Sequence, residues 1–161
     1  MKYILLILGL AGLLSACGPK IVYDETISFA DTGWSYTDSL VATFDIVDTN
    51  KIYNLHLLLT HSPDFAYQNF YVQVHTVFPS GQRISQQLSL ELARSSGAWY
   101  GACSSEVCEL DIPIQEGAYF NQPGTYRVVV EQFSRDNPLE GVYALGFALE
   151  ETGARREYKS K

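Results

Sequence analysis

The side chains that could carry acid–base or nucleophilic chemistry are few and scattered along the chain. His61 and Asp64 together with a serine would form a hydrolytic triad, but no serine lies in the Gly-x-Ser-x-Gly turn that exposes such a nucleophile. Glu150 and Glu151 are adjacent, and a strand directs adjacent side chains to opposite faces, which separates the carboxylate pair that glycoside cleavage needs. The chain also lacks a glycine-rich phosphate loop. We therefore predict no catalytic residue, no cofactor and no enzymatic activity.

Two further histidines, His56 and His75, lie on the expected solvent-facing sides of two strands that the sequence predicts to form a hairpin. Across such a hairpin the two imidazoles could bind a metal ion or form a pH-sensitive pair. Because no acidic residue at a fixed spacing completes a ligand set, the sequence favours two ordinary surface histidines and no metal site.

Residues 14–17, with the sequence Leu-Ser-Ala-Cys, end a short apolar run that follows the single positive charge of Lys2. The run is too short to cross a bilayer and has the length of the apolar part of a secretory signal. It resembles a bacterial lipobox, in which the cysteine is acylated through a thioether and the chain is cleaved just before it. We therefore predict lipidation of Cys17. A plain signal peptide or a buried apolar strand is the alternative.

Two cysteines, Cys103 and Cys108, remain once Cys17 carries lipid. An even pair in an oxidising compartment predicts a disulfide, and closing so short a loop would contribute about 2 kcal/mol. Free thiols are the alternative. A zinc site is disfavoured, because two thiols are half a tetrahedral ligand set and no nearby histidine completes it.

The charge balance excludes several classes of partner. Lysine and arginine number 11 against 18 aspartates and glutamates, so the formal net charge is −7 at pH 7. Nucleic acid is excluded, because phosphate binding needs clustered basic side chains. Anionic lipid is no better a partner, so attachment to the membrane must come from acyl chains on Cys17. Aromatic residues make up 13% of the chain, which favours a sheet protein.

Short alternating runs must position these residues. Residues 39–46 alternate apolar and polar side chains, and similar runs recur between turns rich in glycine, proline and asparagine. We predict an all-β fold, a two-sheet antiparallel β-sandwich of the jelly-roll kind, preceded by a cleaved lipoprotein signal peptide. Only one short helical turn is expected, near 134–139. The predicted segments are a signal peptide (1–16), a lipidated cysteine and linker (17–20), the sandwich (21–152) and a polar tail (153–161).

The hairpin predicted between 53–60 and 69–78 has a long tip at 61–68, which is the first candidate binding segment. Its side chains mix aromatic, charged and amide groups that suit a protein partner. The residues predicted to contact a partner there are His61, Asp64, Phe65, Tyr67 and Asn69.

The second candidate is the segment that leaves the strand ending near residue 131, where Gln132, Arg135 and Asp136 place two polar groups and a cation. A structural role that ties down the loop is favoured over a ligand site. A third hypothesis is an aromatic platform that stacks on sugar rings, against which stands ordinary core packing of the same rings. Its members would be Trp34, Phe65, Tyr67, Phe70, Tyr71 and Trp99.

An ordered series of short motifs resembles the gliding-motility lipoprotein GldH family of Bacteroidetes. The likeness begins at the lipobox, covers nearly all of the chain after it, and rests on the order of the motifs more than on any single one. The motifs are Tyr23-Asp24-Glu25-Thr26, Gly33-Trp34, Phe44-Asp45-Ile46, Tyr53-Asn54-Leu55, Asp64-Phe65-Ala66-Tyr67-Gln68-Asn69-Phe70, Gly97-Ala98-Trp99-Tyr100-Gly101 and Glu131-Gln132-Phe133-Ser134-Arg135-Asp136.

The resemblance implies a non-enzymatic envelope lipoprotein that assembles or stabilises the gliding machinery, which is linked to type IX protein secretion. Its partners would be other envelope lipoproteins and membrane proteins of that machinery. We expect a periplasm-facing position on the outer membrane, since Gly18 replaces the aspartate that marks inner-membrane retention. The alternative function is a carbohydrate-binding lipoprotein with a jelly-roll domain.

Overall fold

The computed structural model describes residues 20–157, which form nine strands in two antiparallel sheets. The strands are β1 (Lys20–Ser28), β2 (Ser39–Ile46), β3 (Lys51–His61), β4 (Asn69–Val77), β5 (Arg83–Glu91), β6 (Ala102–Cys103), β7 (Cys108–Ala118), β8 (Gly124–Gln132) and β9 (Val142–Arg155). The first sheet has the order β1-β9-β3-β7-β6, and the second has the order β2-β8-β4-β5. The predicted all-β sandwich is confirmed. The predicted signal peptide and Cys17 lie outside the described residues, as do residues 158–161.

The strand order is that of a jelly roll. The chain alternates between the two sheets from β1 to β4, forms a hairpin from β4 to β5 within the second sheet, and alternates again from β7 to β9. Eight strands therefore make two four-stranded layers, and β6 is a short addition at one edge. Within residues 20–157 no helix is long and apolar enough to span a bilayer.

The alternating pattern of β2 shows why the two sheets close on each other. Leu40, Ala42, Phe44 and Ile46 occupy every second position and are buried, whereas the residues between them are exposed. The ring of Phe44 stacks on that of Phe147 in β9, with 5.8 Å between their centroids. Side chains from both layers thus fill one shared core.

The hairpin predicted from 53–60 and 69–78 is wrong. β3 lies between β7 and β9 in the first sheet, whereas β4 lies between β5 and β8 in the second. Seven residues separate the two strands, more than the short loops that hold adjacent antiparallel strands in register. Residues 62–68 therefore cross from one layer to the other, and His56 and His75 lie on different sheets.

Ahead of β6, Trp99 forms only an isolated bridge with Ala93. Two smaller predictions also need correction. The helical turn predicted near 134–139 is a series of bends with a cis peptide before Pro138. β9 continues into the segment predicted to be a polar tail (153–161), because its last residue, Arg155, still pairs with Lys51 of β3.

Candidate functional site

The loop that follows β8 is organised by one buried amide. Gln132 is the last residue of β8, and its side chain points inward. Its Nε2 donates hydrogen bonds to the carbonyl oxygens of Asp136, at 3.0 Å, and Trp34, at 3.4 Å. Its Oε1 accepts one from the backbone N–H of Ser134, at 3.0 Å. Because this one side chain forms hydrogen bonds with backbone groups at both ends of the bend, it fixes the path of residues 132–136.

Two tyrosines hold the same loop from either side. The hydroxyl of Tyr36 donates to the carbonyl oxygen of Ser134 at 2.7 Å, and the backbone N–H of Tyr36 donates to Oδ1 of Asn137 at 2.9 Å. The hydroxyl of Tyr67 donates to the carboxylate of Asp136. This hydrogen bond and the negative charge beside it raise the pKa of the Tyr67 hydroxyl above its usual value of 10.0. The two segments that the sequence singled out, 61–69 and 132–136, thus meet.

Four aromatic side chains surround this loop with much of their surface in solvent, and we call them the aromatic patch: Tyr36, Tyr67, Tyr71 and Phe133. Their exposed fractions run from 43% for Tyr71 to 54% for Phe133. The backbone N–H of Phe133 donates to the carbonyl oxygen of Tyr71 at 2.9 Å, which extends the β4–β8 ladder by one step. Tyr71 and Phe133 are therefore cross-strand neighbours on the outer face of the second sheet.

Tyr36 and Phe133 were not predicted from the sequence to be members of this surface. A signal for Phe133 was present, since Tyr126, Val128 and Val130 of β8 alternate into the core and place Phe133 on the opposite face. No such signal existed for Tyr36, which reaches the loop from a turn about a hundred residues earlier.

The segment 61–68 is packed against the sandwich along part of its length. His61 and Phe65 are buried, and the imidazole of His61 lies edge-on to Trp99 with 4.7 Å between ring centroids. The indole N–H of Trp99 donates to the carbonyl oxygen of Pro63 at 3.1 Å. Burial lowers the pKa of His61 below 6.5.

The remaining predicted contact residues lie nearer the surface. Asp64 and Tyr67 are exposed, and Asn69 is half-buried, where its Nδ2 donates to Oγ of Ser89 at 3.2 Å. In the loop after β8, Arg135 and Asp136 are exposed. Of these side chains, Asp136 accepts the hydrogen bond of Tyr67, a member of the aromatic patch, and Asn69 lies two residues before Tyr71 on the same face of β4.

Three of the six rings in the hypothetical sugar-stacking platform are buried, as the alternative of core packing expects. Trp34 has none of its surface exposed, and Phe65 and Phe70 are also buried. Trp34 instead stacks on Phe29, with 4.8 Å between centroids, and donates its indole N–H to the carbonyl oxygen of Asp38. These large aromatic side chains pack in the core of the sandwich, because each of them buries a large apolar area there.

His56 and His75, for which a facing pair was the less favoured alternative to two surface histidines, each lie beside acidic side chains of their own sheet. Nδ1 of His56 lies 2.7 Å from Oδ1 of Asp111, and its Nε2 lies 3.4 Å from Oε2 of Glu150. These contacts connect β3 to β7 and β9. Within residues 20–157 no group of three histidine, cysteine or acidic side chains is placed to hold a metal ion.

On the second sheet, His75 forms a row with Ser85 and Glu131 that the sequence did not indicate. Its Nδ1 lies 2.7 Å from Oγ of Ser85, and its Nε2 lies 3.2 Å from Oε2 of Glu131. The residue types are those of a hydrolytic triad, but the row lies across the outer face of three strands. A hydrolytic triad also needs nearby groups that bind the substrate and stabilise its oxyanion. On a sheet face most backbone N–H groups are hydrogen-bonded to neighbouring strands, so few are available for this role.

A disulfide joins Cys103 of β6 to Cys108 of β7, with an S–S distance of 1.95 Å. The two residues are directly opposite in the register of these strands. The bond closes a tight turn at the edge of the first sheet, in which the hydroxyl of Ser104 accepts a hydrogen bond from the N–H of Val107.

Comparison with known proteins gives a family and named relatives. A family model described as GldH lipoprotein matches residues 21–149. The chain is 32% identical over 148 residues to the gliding motility lipoprotein GldH homolog of Christiangramia forsetii, which covers 87% of this chain and 90% of that protein. It is 28% identical over 148 residues to gliding motility lipoprotein GldH of Flavobacterium johnsoniae, with 86% and 90% covered.

Among solved structures, a family 35 carbohydrate-binding module from Clostridium thermocellum is similar at a TM-score of 0.35 and 15% identity. The likeness covers 81% of this chain and 97% of that module. At such a score it carries no argument about ligand or function.

Proposed function

We propose a function from the premise that this chain belongs to the GldH lipoprotein family, whose model matches residues 21–149. It is a gliding motility lipoprotein by family, and we propose that it works as a non-enzymatic component that assembles or stabilises the gliding machinery linked to type IX secretion. Its partners are then other lipoproteins and membrane proteins of the cell envelope. The lipid on Cys17 would hold the sandwich at a membrane, for which we propose the periplasmic side of the outer membrane.

The aromatic patch is the observation that carries this proposal. Tyrosine and phenylalanine are enriched in the cores of protein interfaces, because rigid rings bury much area at little cost in conformational entropy. Here the hydrogen bonds of Tyr36 and Tyr67 to the loop hold two of the rings in place before any partner arrives. Asp136, which accepts the hydrogen bond of Tyr67, and Asn69, two residues before Tyr71 in β4, supply polar groups beside the rings, as a polar rim does in known interfaces.

We expect loss of the two neighbouring rings, in a Tyr71→Ala and Phe133→Ala double variant, to weaken capture of envelope partners about tenfold or more, the size of effect known for interface hot spots. Crosslinking in the native envelope followed by mass spectrometry measures it. Because both side chains are half-exposed, the variant should keep its circular dichroism spectrum and melting temperature within a few degrees.

Tyr119→Ala is the matched control for this experiment. Tyr119 is 51% exposed but lies before β8, whereas the patch lies beyond the other end of that strand. Recovery of the same partners in equal amounts from the double variant and from Tyr119→Ala would refute the patch as the contact surface.

A carbohydrate ligand is the second candidate function, and one observation favours it. Tyr71 and Phe133 are exposed neighbours on a sheet face, and the next row of that face carries Glu131, Gln73 and Gln87. Rings beside amides and a carboxylate are groups that can stack on a sugar and bind its hydroxyls. Calorimetric titration with envelope polysaccharides would detect this binding, and heats that are unchanged in Tyr71→Ala would count against it.

A further inference from the structure

The edges of the two sheets differ in how they are protected against pairing with another strand. β1 has an irregular register between Ile21 and Tyr23 and carries several charges. At the edge of β2, the hydroxyl of Tyr23 accepts a hydrogen bond from the N–H of Thr43. β7 contains Pro113, and its pairing with β3 is shifted in two places. Bulges, charges, proline and covering side chains are the usual devices that block an edge.

β5 is the exception among the described strands. It is nine residues long, pairs with β4 through an unbroken register, and contains neither proline nor lysine. It is an edge of the second sheet, and its apolar residue Ile84 has 48% of its surface exposed. A long, regular and uncovered edge of this kind is a template for pairing with a further strand.

The hydrogen bonds at the two ends of β5 fix which of its backbone groups are free. The N–H of Phe78 donates to the carbonyl of Gln82 at 2.9 Å, and the N–H of Leu92 donates to that of Gln68 at 2.8 Å. Because pairs alternate in an antiparallel ladder, the even-numbered residues of β5 direct their backbone groups toward β4. The odd-numbered residues therefore direct theirs outward: Arg83, Ser85, Gln87, Ser89 and Glu91.

The sequence of β5 is complementary to itself when two copies run antiparallel about Gln87. Arg83 of one copy then lies opposite Glu91 of the other, and Ile84 lies opposite Leu90. Ser85 of one copy lies opposite Ser89 of the other, and Gln87 lies opposite its own copy on the two-fold axis. The outward-directed residues pair with one another in this register, so the backbone hydrogen bonds and the charges match together, while Gln86 lies opposite Leu88.

From this we propose that β5 is a homodimerisation edge, at which a second copy of this chain continues the second sheet across a two-fold axis at Gln87. Both copies use the same patch, as an isologous interface requires. The pairing would cover the exposed side of Ile84 in each copy. Moving the register by two residues would leave Arg83 and Glu91 without their opposite charges, so the ion pairs select this alignment.

The test uses the full lipidated chain in detergent and a cycle of charge reversals at two exposed positions. Sedimentation equilibrium should give a dimer for the native chain. Arg83→Glu and Glu91→Arg each place like charges opposite each other at both ends of the interface and should raise the dissociation constant about tenfold or more. The double variant Arg83→Glu with Glu91→Arg restores opposite charges and should restore the dimer. A monomeric native chain, or single variants that dimerise as tightly as the native chain, would overturn the proposal.

A second measurement locates the axis in the native envelope. Only Gln87 meets its own copy, so Gln87→Cys should be bridged to a covalent dimer by a short bifunctional thiol reagent. Thr43→Cys, on β2 at the other edge of the same sheet, is the matched control and should stay monomeric. Equal bridging of the two variants would overturn the proposed axis. Partner capture through the aromatic patch is measured separately, so either proposal can fail alone.

Discussion

At the scale of single residues, buried polar side chains give the candidate site its shape. Gln132 satisfies backbone groups at both ends of the 132–136 bend, and His61 packs its ring against Trp99 while its Nδ1 lies 2.8 Å from the carbonyl oxygen of Ser62. Neither side chain reaches solvent. Their effect on the surface is therefore indirect, as when Gln132 fixes the bend that carries Phe133 and Asp136.

The burial of His61 makes the stability of the fold depend on pH. Its pKa is lowered in the folded chain, so the unfolded chain binds a proton more readily. The stabilisation from a neutral His61 is fully present above its unfolded pKa of about 6.5 and is lost as the pH falls through the lower folded pKa. We expect urea unfolding to show a smaller loss of stability between pH 7.5 and pH 5 in His61→Phe than in the native chain.

The comparison of slopes with pH is the informative readout, because His61→Phe also changes packing and shifts stability at every pH. The other titrating groups are the same in both proteins and cancel in the difference. Identical pH dependence in the two proteins would show that His61 is not held neutral by the fold.

At the scale of elements, the predictable strands are those whose own pattern determines their environment. Apolar and polar side chains alternate strictly along β2, so each of its buried residues could be predicted from the sequence. The strands that pair with β3 and β4 could not be predicted, because both strands are apolar enough to pair with each other or with several other strands. The choice is made by strands far along the chain, β7, β8 and β9, so no local signal could reveal it.

The turn before β2 offers a test of close approach between elements. Gly33 has a φ of +106°, and a Cβ built there would lie 2.4 Å from the carbonyl oxygen of Leu139. Gly81 has a φ of +83° with open space around it. We expect Gly81→Ala to lower the free energy of unfolding by about 1 kcal/mol through backbone strain, and Gly33→Ala by about 2–4 kcal/mol because a steric clash is added. Thermal and urea unfolding measure both, and equal losses would contradict the clash.

The candidate site was predictable in part. The segments 61–69 and 132–136 were both singled out from their residue types, but their meeting through Tyr67 and Asp136 depends on a crossing between sheets. Whether Trp34 is buried or exposed was likewise left open by the sequence. Sequence alone cannot distinguish a ring that covers the core from one that faces solvent when the residue lies in a turn.

At the scale of the whole molecule, the negative net charge disfavours the membrane attachment that the predicted lipid on Cys17 would provide. A formal net charge of −7 repels anionic lipid surfaces, so no part of the electrostatic balance holds the domain at a membrane. Any attachment to a membrane would then come from the lipid predicted on Cys17, and acyl chains gain about 0.8 kcal/mol for each buried methylene.

This balance predicts the behaviour of three altered proteins. The native chain should incorporate labelled palmitate, and Cys17→Ser should incorporate none, whereas the Cys103→Ser and Cys108→Ser double variant should keep the label. Residues 20–161 exported behind an ordinary cleavable signal should stay in the soluble periplasmic fraction even at low salt, where electrostatic binding is strongest. Palmitate on Cys17→Ser, or sedimentation of the exported domain with membranes, would contradict the prediction.

The start of β1 has a consequence for how a β5-paired dimer would lie on a membrane. Lys20, the first residue of β1, is opposite Glu151 in β9, at the end of the sandwich far from the aromatic patch. A two-fold axis between antiparallel strands sends the Lys20 ends of the two copies in opposite directions. Both lipids can enter one bilayer only if the strands run along its surface. Two anchors far apart would then suppress rocking of the domain, and the rings of each patch would be presented at a fixed height and tilt.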